Sequence, residues 1–225
     1  MSVIVLASSK GGVGKSTIAL VLAHALAHAG GSVALIDADP NSPMDAWAKL
    51  SGGNLPERFT LNVGVSEDSI IEKIDEASER DSFVIVDLEG SANMAVSYAI
   101  GRADLVLVPL QGSQLDANEA AKVIRLIERE ARAYRRKIPY AAILSRTSFI
   151  KPRTAKHIES EIRGAGIDIL PVEMTERDAF KALFSFGGTL YDLTSEEVSS
   201  PDKACANAEA LAQAVIDHLR GLKDA

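Results

Sequence analysis

The feature that most restricts this fold is a glycine-rich loop, Ser9-Lys10-Gly11-Gly12-Val13-Gly14-Lys15-Ser16-Thr17. It follows the apolar run Val3–Ala7 and precedes an Ala- and Leu-rich stretch, Ser16 to Ala29, that stops at Gly30-Gly31. Strand, loop and helix in that order are what a phosphate-cradling loop requires. Glycines let successive backbone amides turn inward and approach an anion closely. The first turn of the helix points its positive end at the same place. The expected contacts are amides of Gly11, Gly12, Val13 and Gly14 on phosphate oxygens and Lys15 on the β- and γ-phosphates. Ser16 is expected to place its hydroxyl on Mg²⁺, and Thr17 to reach the α-phosphate.

A loop of this kind needs a sheet behind it, and the rest of the chain supplies one. Apolar runs recur at Val33–Ile36, Phe83–Val86, Leu105–Val108 and Ala141–Leu144, with a further short one at Ile167–Leu170. They are continuous, not alternating, which implies strands covered on both faces. Helical stretches separate most of them. The predicted fold is α/β: a three-layer P-loop NTPase with a mostly parallel twisted sheet flanked by helices. A chain of 225 residues that is 47% hydrophobic fills one such unit, so residues 1–225 are read as a single domain. No run of about 18 apolar residues appears, so no membrane span is expected. The one cysteine, Cys205, excludes an internal disulfide framework and suits a reducing cytoplasm.

Ligands of parallel sheets bind at the carboxyl ends of strands, and acids stand at two of these ends. Ile36-Asp37-Ala38-Asp39-Pro40-Asn41 closes one run. Asp39-Pro40-Asn41 is also a turn signal, but its place after a core strand favours a functional role. Phe83-Val84-Ile85-Val86-Asp87 closes another, and a buried strand ending in Asp suits a Mg²⁺ ligand. Glu89, just beyond, is an extra acid with no assigned part.

The combination of Ser9 in place of the usual first glycine, Lys10 and the double glycine resembles the deviant Walker A loop of the ParA/MinD family of ATPases. The segment Met174–Phe180 resembles the short ParA type, which includes ParF-like and VirC-like proteins. The resemblance implies that Lys10 reaches across a dimer interface to the partner's ATP. It implies that Asp39 orients or deprotonates the attacking water and that Asp37 sits nearer the metal. Leu88-Glu89-Gly90-Ser91 departs from the two prolines that often follow the Asp of this family, and Asn41 replaces a frequent Gln. The family contacts adenine with residues after the fifth core strand and a loop beyond the sixth. Here that points to Ser145, Arg146 and the segment from Pro171 to Glu176, with Arg146 either stacking on a base or exposed.

The net charge of −7 argues against a nucleic-acid binder, but its distribution does not. From Lys122 to Arg163 there are 12 basic and 4 acidic residues, whereas the remainder carries 12 and 27. One long helix is expected from Leu115 to Lys137. On it Lys122, Arg125, Arg129, Arg132 and Arg136 recur every three or four residues and line one face. Lys151 and Arg153 follow. Charge runs usually form solvated faces, here paired with Glu128 and Glu130, but the excess is too large for pairing alone. Such a row suits the phosphate backbone of duplex DNA, read without sequence preference. No aromatic residues interleave, so single-strand stacking is not expected.

The C-terminal stretch Ala208–Leu222 is amphipathic but lacks an aromatic anchor, and packing on its own domain is the plainer reading. The chain begins at its first core strand, so no N-terminal helix-turn-helix domain is expected. Together these features lead to an ATP- and Mg²⁺-dependent DNA-partitioning ATPase with weak intrinsic activity. It would be a homodimer when ATP-bound, would bind duplex DNA non-specifically and would be released by a ParB-like centromere-binding adaptor. It would be cytoplasmic and nucleoid-associated. The alternatives are a VirC-type accessory ATPase of DNA transfer and a protein-cargo positioning ATPase.

Overall fold

The computed structural model describes residues 1–91, 93–148 and 153–224. The phosphate loop joins β1 (Ser2–Leu6) to α1 (Lys15–His28). There follow β2 (Val33–Ala38), α2 (Pro43–Leu50), β3 (Phe59–Asn62), α3 (Ile70–Arg80), β4 (Phe83–Leu88) and α4 (Met94–Arg102). The second half contains β5 (Leu105–Leu110), α5 (Gln114–Ala133), β6 (Tyr140–Thr147), α6 (Arg153–Gly164), β7 (Met174–Thr175), α7 (Asp178–Phe186) and α8 (Pro201–Lys223). The strands form one parallel sheet in the order β3-β2-β4-β1-β5-β6-β7.

Alternate residues of each central strand feed two cores, as the two-residue period demands. Ile4, Leu6, Leu35, Ile85 and Leu107 pack on the side of α1, α2, α7 and α8. Val3, Val5, Ile36, Val86 and Val108 pack on the side of α3, α4, α5 and α6. The three-layer architecture follows. β1 and most of α1 are thereby buried on either side of the loop. α8 lays Leu211, Val215 and Leu219 into the first core, with Ile216 and Leu222 against its margin. This is the self-packing expected of the C-terminal helix. Among the described residues no helix is long and apolar enough to cross a membrane.

Three elements differ from the sequence expectation. Ile167–Leu170 is not a strand: only an isolated bridge joins Ile169 to Ala142, and the seventh strand position is filled by Met174–Thr175 beside Ser145 and Thr147. Pro171 lacks the N–H that would extend a ladder there. β3 was not anticipated, because it is a four-residue edge strand with polar Thr60 and Asn62. The long helix stops at Ala133, with Arg135 at φ 53° and its chain turned toward β6. Arg136 therefore leaves the helical row, and its guanidinium donates to the Ala103 carbonyl.

α1 buries one titratable group with no catalytic reading. His24 is 1% exposed, lies against the rings of Trp47 and Phe59 at 5.1 and 5.9 Å, and neither of its nitrogens has a hydrogen-bond partner. Burial pushes its pKa down to about 3. A folded-state value below the unfolded one means that the contribution is complete above about pH 6.5 and fades as pH falls toward 3. From pH 7.5 to pH 5 the loss from this residue alone is about 2 kcal/mol. Urea unfolding at both pH values checks this, and His24→Leu should remove that part of the slope. An identical slope in the variant would assign the acid sensitivity elsewhere.

Candidate functional site

The loop after β1 adopts its shape through Gly12 at φ 76° and Gly14 at φ 94°, both in the left-handed region that side chains disfavour. It lines a cavity of about 710 Å³ along the carboxyl edge of the sheet. Gly11, Gly12, Gly14, Lys15, Ser16 and Thr17 form its floor. At one end stand Asp39, Asn41, Glu89 and Gly90, and at the other Arg146, Met174–Arg177, Phe180 and Phe184. The strand order explains this layout: β2 and β4 flank β1 on the acidic side, and β6 and β7 lie on the other.

Lys15 is only 6% exposed, and its Nζ donates to Ser8 Oγ at 3.0 Å. Burial lowers its pKa, while the carboxylates of Asp87, Asp39 and Glu89 oppose that shift. Asp87 is fully buried. Neither of its oxygens has a well-formed hydrogen bond, although the Ser16 hydroxyl acts on it from nearby. Burial pushes its pKa up to about 7, held back by Ser16 and Lys15 and increased by Asp37 and Asp39. A buried carboxylate with both oxygens unsatisfied is costly unless a cation arrives. Hard oxygen donors from Asp87 and Ser16 fit Mg²⁺, which takes few protein ligands and draws the rest from phosphates and water. Among the described residues no group of three or more His, Cys, Asp or Glu is placed to hold a metal ion.

Asp37 pairs in register with Asp87 and makes two backbone contacts. Its Oδ1 accepts from the Asp39 amide at 3.1 Å and its Oδ2 from the Met44 amide at 2.9 Å. It is 1% exposed and is not part of the cavity wall. Its carboxylate ties the end of β2 to the start of α2. Burial raises its pKa and those two amides counter the rise. Asp39 accepts from the Asn41 amide at its Oδ1 at 2.9 Å, closing the turn expected there, and the residue lines the cavity.

Lys10 lies outside the cavity wall. Its side chain is 48% exposed, and Nζ pairs with Asp116 Oδ1 at 3.0 Å at the start of α5. Ser9 makes a parallel contact, donating to Glu119 Oε2 at 2.7 Å and to the Glu119 carbonyl at 3.0 Å. Sequence reasoning missed Asp116 and Glu119, which lie more than a hundred positions away and have no motif.

At the far end, Arg146 has φ 51°, a strained geometry for a side-chain-bearing residue. Its Nη1 donates to the Gly12 carbonyl at 3.1 Å, and its Nη2 is 3.7 Å from Glu176, which also pairs with Lys181 at 2.8 Å. Ser145 gives its hydroxyl to the carbonyls of Val13 and Leu110, so it braces the loop. The Val13 side chain is buried and its carbonyl is engaged, which leaves its amide for an anion. Pro171 is not part of the cavity wall: that part is built instead by Met174–Arg177 and by Phe180 and Phe184 of α7. The aromatic residues of α7 follow Met174 closely in sequence, and their helical spacing was the available signal.

On α5, Lys122, Arg125, Arg129 and Arg132 are exposed. Lys122 pairs with Glu119 at 2.6 Å and Arg129 with Glu130 at 2.8 Å. Arg125 and Arg132 have no ion-pair partner among the described residues. Lys151 lies outside the described residues, and of Arg153 only its place as the first residue of α6 is described.

A parallel sheet in this order, with a Lys-Gly-Gly-x-Gly-Lys-Ser loop and acids closing β2 and β4, defines a P-loop protein of the ParA/MinD class. Residues 1–223 match the family described as VirC1 protein, and the chain belongs to that family. It is 41% identical to "Protein ParA" of Rhizobium radiobacter over 97% of this chain and 98% of that one. It is 30% identical to "Protein virC1" of Rhizobium rhizogenes over 81% of this chain and 80% of that one. Among solved structures, a Cyanothece McdA(D38A)–ATP complex shares the fold. Its TM-score is 0.72 at 18% identity, covering 92% of this chain and 96% of that one.

Proposed function

We propose that this protein is an ATP-dependent DNA-partitioning ATPase, switched between a free form and an ATP-bound homodimer. The observation that carries the proposal is the contrast between its two loop lysines. Lys15 is buried and lines the cavity, whereas Lys10 is outside its wall and half exposed, and that contrast supports a role for Lys10 at a second copy's nucleotide. Closing the dimer exchanges the Lys10–Asp116 contact for a phosphate oxygen, one charge-assisted pair for another. A relative named for ParA and a structure of the same fold solved with ATP support this reading.

Within each site the loop amides, Lys15 and Thr17 hold the phosphates, and Ser16 and Asp87 hold Mg²⁺. A bound Mg²⁺ would supply neutralisation of phosphate charge there. Asp39, at the acidic end, orients the attacking water. Arg146 and the α7 aromatics face the base. The exposed basic face of α5 binds duplex DNA through its phosphates without reading sequence. A ParB-like adaptor stimulates hydrolysis and releases the complex, in the cytoplasm and on the nucleoid.

Sedimentation velocity tests the central point. Wild-type protein with ATP and Mg²⁺ should sediment as a dimer. Lys10→Ala should stay monomeric while still taking up a fluorescent ATP analogue. A Lys10→Ala variant that dimerises as well as wild type would remove the shared site. The virC1 relationship favours a second reading, an accessory ATPase acting at one DNA site in transfer. Competition between a transfer-origin duplex and random duplexes separates the two.

A further inference from the structure

The acidic end of the cavity holds a carboxylate that the reading above does not use. β2 and β4 run parallel with Asp37 opposite Asp87 and Ala38 opposite Leu88. The paired register ends there, and Asp39 and Glu89 are the next residues of the two chains. Neighbouring strands lie about 4.8 Å apart. The inner pair is buried, whereas Asp39 and Glu89 both line the cavity with Lys15.

Glu89 is held in place from two sides. Its neighbour Gly90 lies so close to the phosphate loop that a Cβ there would sit 2.8 Å from Gly11 N and 2.8 Å from the Lys10 carbonyl carbon. The 89–90 segment therefore rests on the loop backbone. Asn93 Nδ2 donates to Glu89 Oε2 at 3.2 Å, while Asn93 Oδ1 caps α4 through the Val96 amide at 2.9 Å. Glu89 Oε1 has no protein partner among the described residues, and Asp87, fully buried with both oxygens unsatisfied, lies two residues before it. The Glu89 charge acts on Lys15 together with those of Asp87 and Asp39. A surface acid with no task would not need this support.

We propose that Glu89 shares with Asp39 the holding of the attacking water, as a two-carboxylate clamp against the terminal phosphate. This rests on the ATP-hydrolysis reading and adds a residue to it. A water has two hydrogens, and two acceptors each about 2.8 Å from it at the tetrahedral angle lie about 4.5 Å apart. Asp39 and Glu89 both belong to the wall of the one cavity in which that water would sit. With both hydrogens engaged, a lone pair of the water faces the phosphorus. The oxygen–phosphorus bond forms as the bond from phosphorus to the bridging oxygen breaks. That electron pair leaves on ADP, and both protons of the water end on the released phosphate, one on the oxygen that attacked and one on another phosphate oxygen. Both carboxylates finish as they began. Glu89 lies in the segment after Asp87 where the resembling family often carries two prolines.

The test uses full-length protein, with wild type, Glu89→Gln, Asp39→Ala and the double variant compared. Fluorescent ATP-analogue titration measures uptake, radiolabelled ATP in excess enzyme measures single-turnover hydrolysis, and sedimentation velocity measures the lifetime of the ATP-bound dimer. Glu89→Gln should keep its ATP affinity within about twofold, hydrolyse about tenfold more slowly and hold the dimer correspondingly longer. Because both acids act on one water, the double variant should fall short of the product of the two single effects. A rate that is unchanged or faster at normal uptake overturns the role of Glu89 while leaving the hydrolase reading intact. So does a fully multiplicative double variant. No ATP uptake by wild-type protein overturns the hydrolase reading itself, and this inference with it.

Discussion

Lys15→Ala should leave a folded protein whose affinity for ATP has fallen by about a hundredfold or more, about 2.7 kcal/mol of binding free energy. Lys15 is the cation on the cavity floor, and it faces the carboxylates of Asp87, Asp39 and Glu89. A triphosphate entering without it meets three acids with one fewer cation beside the loop amides and hydroxyls, so the loss combines a missing charge-assisted contact with less compensated repulsion. The fold should tolerate the change. In the free protein Lys15 is a desolvated cation with one hydrogen bond, to Ser8 Oγ, and removing it also removes that desolvation cost. Lys15→Arg should not restore binding, because a planar guanidinium needs more width than a compact ammonium. Calorimetric titration with Mg-ATP checks both variants, and thermal unfolding checks the fold. Affinity within threefold of wild type would mean that the amides alone carry the nucleotide.

The parts of the site that were legible in sequence are those in which local chemistry dictates local shape. Val3–Ala7, the glycines and the Ala-rich helix occupy consecutive positions, so order alone predicted their arrangement. The continuous apolar runs marked β2, β4, β5 and β6 because the strands are buried on both faces. What stayed hidden depends on which distant segments become neighbours. The pairing of Asp37 with Asp87 exists because β4 inserts between β2 and β1. No periodicity in either segment encodes that insertion. The hold of Asp116 on Lys10 spans 106 positions and comes from α5 starting beside the loop. β3 and β7 were obscure for a simpler reason: an edge strand of four residues and a strand of two present too little apolar surface to show a pattern.

The end of α5 has the same lesson in reverse. The three-and-four spacing of basic residues continues past Ala133, but the helix does not. Tyr134 packs against Gly101, where any side chain would collide with its ring. Arg135 then turns into the left-handed region. Tertiary contact overrides helix propensity at that point. The predicted row of five therefore shortens, and its remaining members are no longer equivalent, because Glu119 and Glu130 already engage Lys122 and Arg129.

That inequality sharpens what charge reversal on α5 should do. If this face binds duplex DNA through phosphates, the triple variant Arg125→Glu, Arg129→Glu, Arg132→Glu should lose more than about a hundredfold in affinity. Three contacts disappear and three repulsions replace them, with each contact carrying a salt slope of about 0.9. Alanine at the same three positions should lower the slope of log affinity against log salt by about 2.7. Taken singly, Arg125→Glu should cost more than Arg129→Glu. The Arg129 guanidinium is already matched by Glu130, a 7%-exposed acid that its loss would leave to Ser97 alone among the described contacts, whereas Arg125 has no acid to release. ATP uptake should be unaffected, since none of the three lines the cavity. Fluorescence anisotropy on a random-sequence duplex at two salt concentrations, with ATP and Mg²⁺ present, gives every one of these numbers. Undiminished binding by the triple variant would take α5 out of the interface. A loss seen on one duplex sequence and not on others would turn the reading from backbone recognition toward a specific site.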